Sequence, residues 1–149
     1  MKIYKGSILK YKITGDENDR FKVTVNGNYL KEYQNIINHS PDGFCWGYAG
    51  SGPSQLALAI MIDLYGEFFA KDHYQTFKSD IIERLNIDND FTLTEEQIET
   101  WKKSRNLETL KCKGCKKDIS QWDSIIEENE RYCIKCFDDI VIPRKMQMK

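Results

Sequence analysis

Four of the five cysteines in this 149-residue chain fall into two pairs, Cys112-Lys113-Gly114-Cys115 and Cys133-Ile134-Lys135-Cys136, with 17 residues between them. Two C-x-x-C pairs at this spacing are a strong metal signature, because a tight turn between paired cysteines aims both sulfurs at one ion. Zinc takes four thiolates tetrahedrally, and a full set leaves no coordination position for water or substrate. Cys112, Cys115, Cys133 and Cys136 are therefore expected to hold one structural zinc ion. An iron–sulfur cluster or a redox role is the weaker rival, and a redox pair would need only one C-x-x-C. Disulfides are disfavoured in a reducing compartment, and each pair is too close in sequence for an unstrained bridge.

A second group of residues with chemical potential lies between His39 and Pro53. Four of the nine glycines fall between positions 43 and 52. Phe44, Trp46 and Tyr48 alternate, so an extended strand would set three rings on one face. Gly50-Ser51-Gly52 then leads into a helix expected to begin at Pro53, where the missing N–H costs nothing. A strand, a glycine turn and a helix N-terminus can present backbone amides to an anion. Tyr48, Gly50, Ser51, Gly52, Ser54 and His39 are the candidate ligand-binding residues of such a cradle. The turn matches neither the P-loop nor the dinucleotide fingerprint, since Gln55 stands where the latter needs glycine. It also lacks the G-x-S-x-G of a nucleophile elbow.

No lysine or arginine occurs between Lys31 and Lys71, so an anion there would rely on amides, hydroxyls and cations from distant segments. The competing reading makes these glycines a sharp turn that docks against a buried helix. His39 and Asp42 with Ser51 or Cys45 have the residue types of a nucleophile constellation. Cys45 is more simply a small buried residue, and no catalytic residue is assigned.

The elements that must position these groups read as an α+β fold. Ile3, Ile8, Leu9 and Ile13 mark an opening strand, and Gly15 to Arg20 a polar loop. Phe21, Val23 and Val25 alternate with polar residues, and Asn26-Gly27 signals a type I′ hairpin turn. The partner strand is expected from Asn28 to about Tyr33, although Tyr29 to Ile37 also fits a short helix. Pro53 to Ala70 reads as one buried helix, and Lys71 to Leu85 as a second. Asn86 to Asn89 reads as a turn. Thr94-Glu95-Glu96-Gln97 is a capping box opening a third helix that carries Ile98 and Trp101. A small antiparallel sheet with about three helices is expected over residues 1–107. A treble-clef-like zinc module follows over 108–142, and a short tail over 143–149. Phe137, Ile140 and Val141 suggest a helix after the second cysteine pair, ended by Pro143, against which Ile119, Trp122 and Ile125 would pack. Such a module should fold only with its metal.

Composition narrows the function classes. Hydrophobic residues make up 40% and charged residues 30%, with a net charge of −1, which is a globular composition. Residues 1–107 carry 13 Lys+Arg and 15 Asp+Glu, and residues 108–149 carry 9 and 8. Nucleic-acid binding draws on a basic face, and only Lys111, Lys113, Lys116 and Lys117 approach one. A zinc-dependent nucleic-acid binder is accordingly the lowest-ranked class. The longest apolar run, Leu56 to Ile62, is far short of the roughly 20 residues that span a membrane, and Met1 to Lys12 has no signal-peptide pattern. A cytoplasmic protein is expected.

The stretch Asn38 to Phe44, then Trp46-Gly47-Tyr48, Gly50-Ser51-Gly52-Pro53 and Gln55 to Ile60, resembles the core motif of DUF6166, a family of unknown function. Tyr74-Gln75-x-Phe77-Lys78 and Leu93 to Trp101 are similar to its later part, so the resemblance covers about residues 1–105. Ala49 stands where glycine is expected, and Ser54 where alanine is common. The zinc module is an addition to the resemblance. The resemblance implies no established activity. Its frequent phage and plasmid setting implies a counter-defence protein that binds a host protein or sequesters a nucleotide-like ligand, in the host cytoplasm. The leading expectation is thus a non-catalytic binding protein, with a host protein or a second copy of itself as partner and a small anion as candidate ligand. The runner-up is an enzyme acting on a phosphorylated or nucleotide substrate at the glycine turn.

Overall fold

A computed structural model describes residues 1–9 and 20–148; Ile13 of the expected opening strand and Gly15 to Asp19 of the expected loop lie outside them. Three short strands open the chain: β1 (Ile3–Ile8), β2 (Phe21–Val25) and β3 (Asn28–Tyr29). A fourth, β4 (Phe91–Thr94), returns from far along the sequence. The antiparallel sheet has the order β3-β2-β1-β4. Asn26 and Gly27 have φ of 48° and 87°, as a type I′ turn requires. The partner strand ends at Tyr29, with the amide of the buried Leu30 still donating to the Val23 carbonyl at 3.0 Å; residues 30–37 form no helix.

Period-2 alternation gives the sheet one apolar face. Tyr4 stands opposite Val25 and Leu93, and Gly6 opposite Val23 and Phe91. Gly6 lets the Phe91 ring cross the sheet, since a Cβ there would lie 2.1 Å from a ring carbon. This face belongs to the same core as α1 (Ser51–Tyr65), whose ten residues from Gly52 to Met61 are all buried. A helix apolar on every side has no solvent face to protect and belongs in the centre. The Tyr4 hydroxyl donates to Asp63 of α1 at 2.5 Å, and Lys2 Nζ approaches the same carboxylate at 3.0 Å.

The expected Pro53–Ala70 helix is divided. Gly66, with φ of 85°, ends α1, and its amide bonds the Ile62 carbonyl. Helix α2 (Glu67–Asp80) then starts a second direction and packs on α1. Only glycine takes that φ without strain. A 3₁₀ turn at Ile82–Arg84 precedes β4, and α3 (Glu95–Ser104) begins with the anticipated capping box of Thr94 and Gln97. Ile98 and Trp101 are buried, as their spacing predicts.

The C-terminal part consists of two hairpins and a helical run. β5 (Leu110–Lys111) pairs with β6 (Asp118–Ile119), and β7 (Ser124–Glu127) with β8 (Glu130–Cys133). Glu128 and Asn129 turn the second hairpin with φ of 49° and 66°. The run comprises α4 (Ile134–Cys136), a π-helical turn (Phe137–Val141) and α5 (Ile142–Gln147). Hairpin, hairpin, helix is a treble-clef-like order. Pro143 does not end this run. It sits in the first turn of α5, directly after the π-helical turn. Trp122 does not pack beneath the helix either. It is 73% exposed, because the turn carrying it is bonded to α2 instead: the Gln121 amide donates to Asp72 at 2.9 Å, and Asp123 meets Lys71 at 3.2 Å. Among the described residues no helix is long and apolar enough to cross a membrane.

Candidate metal centre and glycine-rich turn

The β5–β6 hairpin carries Cys112 and Cys115 in its connection, while Cys133 ends β8 and Cys136 ends α4. Their four sulfurs all lie within 4.8 Å of one another. A tetrahedral thiolate site with metal–sulfur bonds near 2.3 Å has sulfur–sulfur edges of about 3.8 Å. The Cys115 and Cys133 sulfurs are 3.9 Å apart, close to such an edge, so the cluster is of a size to hold one metal ion. Gly114 is required by close approach: a Cβ there would meet Cys136 Sγ at 2.9 Å and Ile140 at 3.1 Å. Lys116, with φ of 62°, closes the first turn by donating its amide to the Cys112 carbonyl at 2.9 Å.

The electrostatics of the cluster favour a cation. Burial opposes ionisation of Cys112, but amides of Cys115 and Cys133 and the Cys115 thiol outweigh it and bring Cys112 down to about 6. The Cys133 amide reaches Cys112 Sγ at 3.3 Å, the bond that orients and stabilises a ligating thiolate. Desolvation and then hydrogen bonds with the neighbouring thiols push Cys136 up to about 12. Four sulfurs this close cannot all become anionic unless positive charge sits among them.

Two of the lysines around the knuckle are paired with acidic residues. Lys111 pairs with Asp118, and Lys113 with Glu130 at 2.8 Å. Lys116 Nζ turns back to the Lys113 carbonyl at 2.9 Å.

At the glycine-rich turn, the segment before α1 is irregular rather than a strand. Gly43 and Gly47 have φ of 94° and 85°, and these left-handed residues interrupt strand geometry. The three rings consequently part company. Trp46 is fully buried between Phe21 and Phe91, and its Nε1 donates to the carbonyls of Asn86 and Asn89. Phe44 is buried, while Tyr48 is exposed.

The six candidate ligand residues divide in the same way. Tyr48, Ser51 and Gly52 line a cavity of about 200 Å³ with Asp42, Phe44 and Cys45 among its walls. Ser54 is buried and its hydroxyl donates to the Gly50 carbonyl at 2.9 Å. Gly50 lies under the Tyr48 ring, which a Cβ would meet at 2.3 Å. His39 faces elsewhere: its Nε2 meets the Tyr74 hydroxyl at 2.7 Å. Burial and then Lys78 lower the His39 pKa. Burial also pushes the Cys45 thiol up, against the opposing pull of the Trp46 backbone, Tyr48 and Arg20. A protonated thiol is a poor nucleophile. His73 is occupied as well, its Nε2 lying 3.3 Å from the Glu108 carbonyl.

One residue central to this region gives no motif signal. Gln55 is completely buried in α1. Its Oε1 accepts the amides of His39 and Ser40 at 2.8 and 3.2 Å. Its Nε2 donates to the carbonyls of Glu32 and Ile37 at 2.6 and 3.1 Å. One side chain thereby ties the whole 32–40 loop to the central helix. The signal that could have found it is an amide side chain opening an otherwise apolar run.

The model of a family of unknown function, DUF6166, matches residues 11–104. The matched span holds the glycine-rich turn and Gln55 and stops ahead of the first metal-type cysteine, Cys112. No curated protein and no solved structure matches the chain.

Proposed function

We propose, given that the chain belongs to DUF6166, a family of unknown function, that it is a non-catalytic binding protein built from a family domain over residues 1–107, a structural zinc module over 108–142 and a tail over 143–149. Zinc, held by Cys112, Cys115, Cys133 and Cys136, supplies folding energy and no reaction: four thiolates close its coordination shell. The residues of the glycine turn act through contacts, with Tyr48, Ser51 and Gly52 facing the partner or ligand. Gly50, Ser54 and His39 support them from behind. The counter-defence role expected from the family's setting is one form of this reading.

The observation that carries the non-catalytic reading is that His39 and the polar side chains behind the turn are already engaged. His39 is bonded to Tyr74, Ser54 to Gly50, and Gln55 to four backbone groups, while burial keeps Cys45 protonated. A general base within hydrogen-bond reach of Ser51 or Cys45 is what an enzyme would need, and His39 is turned away. A cavity of about 200 Å³ is also smaller than the roughly 300–1,000 Å³ typical of small-molecule sites. A contact of the exposed turn with another protein, or a small anion at the α1 amides, suits it better than a nucleotide. Paired lysines around the knuckle weigh against nucleic acid.

The test is native mass spectrometry of untreated protein purified from its host. The proposal expects one zinc per chain and a co-purifying protein or small anion that Ser51→Tyr displaces. A phosphorylated substrate converted to product by the wild type and not by Ser51→Ala or Cys45→Ser would replace it with the enzyme reading.

A further inference from the structure

A second recess lies away from both sites, where the cysteine-bearing part meets α2. It has a volume of about 290 Å³ and a largely apolar lining that includes Ile37, Tyr74, Gln75 and Trp122. Trp122 is 73% exposed, an unusual position for the largest apolar side chain. Its backbone is nevertheless fixed. The Trp122 amide donates to the buried Ser120 hydroxyl at 3.0 Å, and the neighbouring Gln121 amide is held by Asp72. An aromatic side chain displayed on a locked turn binds at low entropic cost, which is the character of an interface hot spot.

The rim determines what would fit. Glu67, Asp72 and Asp123 outnumber Lys71 three to one, and Lys71 is already shared between Glu67 at 2.7 Å and Asp123 at 3.2 Å. The Asp123 side chain remains 49% exposed. His39, behind Tyr74, adds no fixed cation. An apolar recess beside an indole face and surplus carboxylate calls for a ligand that is apolar along its length and cationic at its end. Arginine meets this description: its stem packs, its planar guanidinium stacks on indole, and its fork reaches carboxylate.

We infer that this recess is a docking site for an arginine side chain presented by a partner protein, its stem against Ile37 and Tyr74 and its guanidinium between Trp122 and Asp123. The inference goes beyond the binding role proposed for the glycine turn. It places a second contact on surface that exists only where the cysteine-bearing part meets the family domain.

The test uses the full zinc-loaded chain and a capped hexapeptide of glycine and serine carrying one leucine–arginine pair. Indole N–H resonances of the three tryptophans are followed by NMR, Trp46 and Trp101 serving as internal reports on the fold. The Trp122 signal should shift saturably while the other two stay in place. Replacing the peptide's arginine by norleucine should weaken binding at least tenfold, and Asp123→Asn should weaken it several-fold with Trp46 and Trp101 unmoved. An unmoved Trp122 at millimolar peptide, or equal binding of the norleucine peptide, would overturn the inference. So would a Trp122 shift that follows protein concentration alone, which would put a second copy of the chain in the recess. None of these outcomes depends on what the glycine turn binds.

Discussion

Gln55 Oε1 accepts the backbone amide of His39 at 2.8 Å, across 16 residues of sequence and from near the start of a buried helix. The same side chain serves three further backbone groups, so both lone pairs and both N–H groups of its amide are used. This arrangement fixes the entry to the glycine-rich turn without any regular element between residues 30 and 50.

Replacing Gln55 by leucine should therefore be costly. The apolar substitute strands two amides and two carbonyls, and each buried unsatisfied group costs about 1–3 kcal/mol. With partial relaxation toward water, a loss of about 3–5 kcal/mol is expected in urea denaturation, among the larger single-site effects. Gln55→Glu should also destabilise, because a carboxylate cannot donate to the Glu32 and Ile37 carbonyls.

The position of Gln55 shows how much of the fold its sequence discloses. Strand β2, the Asn26-Gly27 turn, the Thr94 capping box and the paired cysteines are local patterns, each specified within a few residues. Strand β4 is four residues long, and its membership of the sheet depends on Phe91 crossing Gly6 from 85 residues away. The division of the long helix at Gly66 and the exposure of Trp122 are likewise set by neighbours distant in sequence. The candidate site splits along the same line. The sulfurs converge as their spacing implies, whereas His39 belongs to Tyr74, a pairing that no local pattern encodes.

His39 gives the protein a pH dependence with a definite sign. Its pKa is lowered in the folded state by burial and by Lys78, so the unfolded chain binds the proton more readily. Stability should then fall as pH drops through the ordinary histidine value of 6.5 toward the lowered one, and should be unaffected by this group above it. Thermal melts of wild type and His39→Gln at pH 7.5 and 5.5 should show a smaller drop in Tm for the variant. An equal drop would assign the effect to other groups.

Gly47 and Gly27 both adopt positive φ, but only Gly47 is enclosed. A Cβ at Gly47 would lie 2.6 Å from the Ile87 amide nitrogen and 2.7 Å from the Leu85 carbonyl oxygen, whereas the space at Gly27 is open. Gly27→Ala should cost about 1 kcal/mol from backbone strain alone, and Gly47→Ala about 2–4 kcal/mol because backbone must also move. Equilibrium denaturation of the pair measures the difference.

Removing the metal should act selectively. With a chelator, amide resonances of residues 110–141 are expected to collapse toward random-coil positions while those of 21–104 persist, and readdition of zinc should restore them. Wholesale unfolding would show that the two parts are one cooperative unit.

The C-terminal module depends most on the four thiolates closing around one ion, and metal content measured together with thiol accessibility under native conditions addresses this directly. Wild type and Cys45→Ser should each contain one zinc per chain, and Cys115→Ser substantially less. Cys112, Cys115, Cys133 and Cys136 should resist a thiol reagent until chelator is added. A metal-free chain whose hairpins and C-terminal helix are nonetheless ordered would contradict it.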